Sequence, residues 1–80
     1  MNYKPYYTLD KVGNYAIGIV GYVVNAMKVE GMSNEEVYKY VIECSKGEYD
    51  HLVEVSQETL KIVNALWYQR IEKLTQYGTD

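Results

Sequence analysis

The sequence predicts an all-α fold: a small three-helix domain, its helix pairs packed as a bundle, with an extended N-terminal arm over residues 1–10 and a single helical domain over residues 11–80. Three observations predict it. Small and polar residues recur every three or four positions from Asn14 to Lys28. Ser33-Asn34-Glu35-Glu36 has the form of a capping box. Apolar residues recur at helical spacing from Leu60 to Leu74.

The arm contains Pro5 and shows no helical period, so it reads as extended, with Tyr3, Tyr6 and Tyr7 as its anchors. Helix 1 is expected from Lys11 or Asn14 to Glu30, stopped by Gly31. Ile17, Ile19, Val20, Val23 and Val24 also suit a strand. The spacing decides for helix. Asn14, Gly18, Gly21, Asn25 and Lys28 fall on one narrow side, and Ala16, Val20, Val23 and Met27 fall opposite. Each helical glycine costs on the order of 1 kcal/mol relative to alanine. Close approach of another helix, from this fold or from a second copy, would give that cost a purpose. Asn14, Gly18, Gly21 and Asn25 are therefore the candidate interface residues, the alternative being that the stripe simply faces water.

Helix 2 starts at the Ser33 capping box and ends by Gly47. Its apolar side holds Val37, Tyr40, Val41 and Cys44, and its polar side Glu35, Glu36, Lys39, Glu43 and Lys46. Helix 3 has two starts open to it, Asp50 or a Ser56 cap, and runs to about Tyr77. Its arc is Leu60, Val63, Leu66, Trp67, Ile71 and Leu74, with Lys61, Asn64, Tyr68, Glu72 and Thr75 turned away. Arg70 falls within the arc made by Ile62, Val63, Leu66, Trp67, Leu74 and Tyr77. A cation there must snorkel, pair with an acid of helix 2, or meet an anion or a partner, and Trp67 is placed to stack on it.

One segment carries a resemblance. Val55-Ser56-Gln57-Glu58-Thr59-Leu60 resembles the turn and first residues of the recognition helix in helix-turn-helix DNA-binding proteins. The resemblance implies a DNA-binding regulator that reads its site from Ser56 onward. The pattern departs from the motif: Glu54 stands in place of the expected glycine, Asp50 in place of a small residue, and Gly47 leaves little room for a first helix. Charge also opposes it. Between Glu30 and Glu58 eight acids face only Lys39 and Lys46, and phosphate binding requires the opposite sign. Nucleic acid is not an expected partner.

Composition narrows the function further. The single Cys44 makes no internal disulfide, and with the single His51 it falls short of a four-ligand zinc site, so neither metal nor cofactor is expected. Short of core at 80 residues, the domain gains by pairing, and a homodimer is expected. Ten tyrosines and no phenylalanine suit half-buried surfaces and interfaces. The uncharged run from Val12 to Met27 is shorter than a membrane span and holds Asn14, Gly18, Gly21 and Asn25. The first residues lack a leader pattern, and cysteine usage fits a reducing, cytoplasmic location. Cys44 on an apolar side reads as core, and Asp50-His51, being adjacent, makes no dyad.

The expected role is a non-catalytic protein–protein interaction module, an adaptor or stoichiometric inhibitor of a style met in phages and mobile elements. Its acidic face, Glu35, Glu36 and Glu43, would suit a basic partner surface or serve solubility alone. The alternative in a different class is a small-molecule or nucleotide binder using Arg70 and Trp67 with Asn14 or Asn25 between helices or subunits.

Overall fold

A computed structural model describes residues 5–78, with side chains through Leu74. The expectations for Tyr3 and for the side chains of Thr75 and Tyr77 lie outside the described residues. The chain makes a short 3-10 turn at Leu9–Lys11, then α1 (Ala16–Val29), α2 (Asn34–Cys44) and α3 (Tyr49–Gly78). All three helices pack on one another, and no strand forms among the described residues. The domain is all-α, as the periodicity predicted.

Before α1 the chain runs antiparallel to it. The Tyr7 hydroxyl donates to Glu30 at the far end of α1, and the Thr8 N–H donates to the Tyr22 hydroxyl at its middle. The chain must then reverse to enter the helix. The 3-10 turn and the extended Val12 make that reversal, so α1 starts at Ala16, later than Lys11 or Asn14. The arm is thus extended only in part, and its turn crosses the expected boundary after residue 10. Tyr7 is buried in the core.

The end of α1 follows the sequence closely. Gly31 adopts φ +83°, which glycine reaches without strain. Its N–H bonds the Lys28 carbonyl at 3.1 Å, and the Met32 N–H bonds the Met27 carbonyl at 2.9 Å. These are the two bonds of a Schellman motif. The Ser33 box also forms: the Glu36 N–H reaches the Ser33 hydroxyl at 3.1 Å, and the Ser33 N–H reaches the Glu36 carboxylate at 2.9 Å.

α3 is continuous through Ser56, which settles its start at Tyr49. Ser56 is not a cap. It is fully buried, its oxygen 2.6 Å from the Tyr40 hydroxyl of α2. Asn64, expected to turn away, is buried against the arm: it accepts from the Tyr7 N–H at 2.8 Å and donates to the Tyr7 carbonyl at 2.9 Å. The buried side of α1 is Ile19, Val23, Ala26 and Met27, a rotation that leaves Ala16 exposed and Val20 half-buried. Val41 and Leu74 are likewise exposed, at the margins of their helices' apolar sides.

Candidate docking surface

The outward side of α1 is uncovered. Above Gly21 there is open space: apart from its chain neighbours and the backbone of its own helix, no described heavy atom lies within 4 Å of where a Cβ would stand. At Gly18 a Cβ would meet only Tyr15 Cβ and Val12 Cγ1, both at 3.5 Å. Asn25 is exposed, and Asn14, which precedes the helix, is exposed too. Among the described residues no helix packs over Gly21, which leaves the stripe to a second copy or to solvent.

Large apolar side chains flank the stripe. Tyr15 is 82% exposed and Ile17 87%. Ile17 forms one wall of an apolar groove of about 410 Å³, with Ala16, Val20 and Gly21 from α1, Val41, Cys44 and Ser45 from α2, and Leu52 from α3. Cys44 is buried and free. A run rich in β-branched residues reads as core, which hid Tyr15 and Ile17 from sequence reasoning. The one available signal was that Ile17 stands four residues before Gly21, on the same side of the helix.

Arg70 is engaged within the chain. Its Nε reaches Glu30 Oε1 at 3.0 Å and its Nη2 reaches Oε2 at 2.8 Å. The partner is thus the residue that ends α1, not an acid of helix 2. The Glu30 side chain is only 1% exposed and Arg70 48%. The two Arg70 hydrogen bonds hold the Glu30 carboxyl below its ordinary range, against the opposing effect of burial. Burial and the bond to Glu30 push the Tyr7 hydroxyl well up. Trp67 does not stack on Arg70. It lies parallel to Tyr6, ring centres 4.9 Å apart, and is half-buried rather than core. The groove beside Arg70 is lined by Glu30, Leu66, Gln69, Lys73 and Leu74, so neither Asn14 nor Asn25 joins it.

The acids of α2 are locally answered. Glu35 stands 3.9 Å from Lys39, and Glu43 lies 3.3 Å from both Lys46 and His51. Glu36 turns back into the capping box. Helical spacing puts Lys39 between Glu35 and Glu43, so the face is mixed rather than uniformly acidic. His51 Nε2 also lies 3.1 Å from the Glu43 carbonyl, and its ring sits beneath Gly47. A Cβ there would stand 2.7 Å from His51 Cβ and Cγ.

The segment from Val55 to Leu60 lies inside α3 with no turn. The helix-turn-helix resemblance is therefore confined to residue types. Among the described residues, no group of three or more His, Cys, Asp or Glu could hold a metal ion, and no helix is long and apolar enough to cross a membrane. Every buried side-chain nitrogen and oxygen among them finds a hydrogen-bond partner. Compared with known proteins, the chain matches no family model, no curated protein and no solved structure. What the site offers is an apolar, uncharged contact surface, beside polar groups already engaged with one another.

Proposed function

We propose that this chain is a small non-catalytic protein–protein interaction module, an adaptor or stoichiometric inhibitor that docks through the outward side of α1 and the adjoining groove. The observation that carries the reading is the exposure of Tyr15 and Ile17 beside an apolar groove. Exposing such side chains costs solubility and leaves hydrophobic free energy unused, on the order of 1.5–3 kcal/mol for each large side chain that becomes buried on contact. The arrangement of the polar residues supports it too. Arg70, Glu30 and Tyr7 satisfy one another, and the Cys44 thiol is buried. In this reading the mixed face of α2 keeps the molecule soluble.

The test compares the parent with Ile17→Glu. Ile17 touches solvent over most of its surface, so the variant should keep the parent's circular dichroism and melting temperature. Affinity capture from the native cell should retain a protein with the parent that the variant loses. Identical captured sets would refute this docking surface.

A further inference from the structure

We propose that the cleft between α1 and α3 is a receptor for an extended, tyrosine-bearing peptide of another protein, and that residues 5–9 of the chain are its tethered occupant. The side chains that hold the arm are Tyr22, Glu30, Asn64 and Trp67. None of them belongs to the α1 stripe or its groove, so this inference is independent of the docking reading above. The first argument is how the cleft grips the arm. It reads main chain: the Asn64 amide pairs with the N–H and carbonyl of Tyr7, and the Tyr22 hydroxyl accepts the Thr8 N–H at 3.1 Å. Peptide groups are common to other extended segments, so this grip gives affinity without fixing a sequence.

One slot supplies the selectivity. Of residues 5–18 only Tyr7 is buried, so a single side chain fastens the arm. Its ring lies edge-on to Tyr22, centres 6.4 Å apart, and its hydroxyl donates to Glu30 at 2.6 Å. The slot can stand empty without stranding a charge, because Arg70 holds both Glu30 oxygens. Tyr6 stacks on Trp67 one residue earlier, which favours an aromatic residue ahead of the tyrosine.

The arm also underfills the cleft. A groove of about 450 Å³ stays open beside it, between Thr8 and Asp10 of the arm and Gln57, Leu60 and Lys61 of α3. A bulkier residue in the place of Thr8 would fill part of that space, which gives a foreign segment contacts the arm lacks. Nothing in the helix packing ties the arm down. The three helices meet one another directly, and residues 13–15, which join the arm to α1, are exposed.

The test titrates the full chain carrying Tyr7→Ala, whose own arm no longer fills the slot, into a fluorescein-labelled synthetic peptide of residues 5–11. Anisotropy should show saturable binding. The same peptide with phenylalanine at the Tyr7 position should bind about tenfold more weakly, having lost a hydrogen bond to a charged group. The parent should bind the first peptide about tenfold more weakly or worse, because its tethered arm competes at an effective concentration on the order of millimolar. A peptide that keeps only the two tyrosines among alanines should still bind, within about tenfold of the first, since the grip is on main chain. Should Tyr7→Ala fail to fold, the parent decides: excess peptide should speed hydrogen exchange at the chain's own Tyr7 amide about tenfold or more by displacing the arm. Three results overturn the proposal: no saturable binding (or, in the parent, an unaffected Tyr7 amide), equal binding of the phenylalanine peptide, or loss of binding in the alanine peptide. The last would mean that the cleft serves only arms of this chain.

Discussion

The side-chain amide of Asn64 brackets the backbone of Tyr7, accepting its N–H at 2.8 Å and donating to its carbonyl at 2.9 Å. One side chain thus does for the arm what a neighbouring strand does in a sheet. Asn64→Ala strands both buried backbone groups and should cost about 2–3 kcal/mol. Hydrogen exchange checks the cause: the Tyr7 amide, protected in the parent, should exchange freely in the variant, while amides in the middle of α1 stay protected.

The Tyr40 and Ser56 hydroxyls join α2 to α3 in a fully buried place. Ser56→Ala leaves the Tyr40 hydroxyl short of its partner and should cost about 1–3 kcal/mol. Tyr40→Phe removes the other end of the same bond. In a double-mutant cycle the two losses should be clearly less than additive, as read from urea midpoints. Full additivity would mean that the hydroxyls act independently.

Acid should loosen the anchor between Glu30, Arg70 and Tyr7. Folding favours the ionised Glu30, because Arg70 holds its carboxyl below the ordinary value of 4.5. That contribution is complete above pH 4.5 and is lost as pH falls through the lower folded value. Glu30→Gln should be less stable than the parent at neutral pH and should show a flatter stability curve in this acid range. At the other extreme, burial raises the Tyr7 and Tyr40 hydroxyls. Their contributions are complete below the ordinary value of 10 and fade as pH climbs toward the folded values.

Two glycines should respond oppositely to the same methyl group. Gly21→Ala fills open space on a helix and should stabilise the isolated monomer by about 0.5–1 kcal/mol. Gly47→Ala drives a methyl into His51, 2.7 Å from its Cβ and Cγ, and should cost about 1–3 kcal/mol. Thermal melts at low concentration distinguish them.

Charge reversal on α2 separates its three acids. Glu35→Lys and Glu43→Lys act on exposed pairs and should leave melting nearly unchanged. Glu36→Lys removes the second half of the Ser33 box and should lower the melting temperature. Circular dichroism melts of the three single variants decide this.

What could be read from the sequence was what short-range chemistry decides. Ser33 and Glu36 form their box from residues three apart, and α1 ends at Gly31 through the Gly31 N–H bond to Lys28 and the Met32 N–H bond to Met27. What escaped depends on long-range register. On a helical wheel Asn64 and Ser56 are polar residues fit for solvent or a cap, and only the arm over one and Tyr40 over the other bury them. Arg70 was legible as a cation needing a partner, but periodicity within α3 carries no information about which helix end lies beside it. The α1 stripe was legible as a pattern for the same local reason. Its uncovered state was not, since that depends on where α2 and α3 lie.

The bond between Tyr7 and Asn64 spans 57 residues of chain, which gives it a meaning in time. A ribosome adding about 5–20 residues per second needs about 3–11 s to make Asn64 after Tyr7. Through that interval the Tyr7 segment has no seat, because its seat lies on α3, which is made later. Tyr7 is fastened only after α1, α2 and the first half of α3 have been translated.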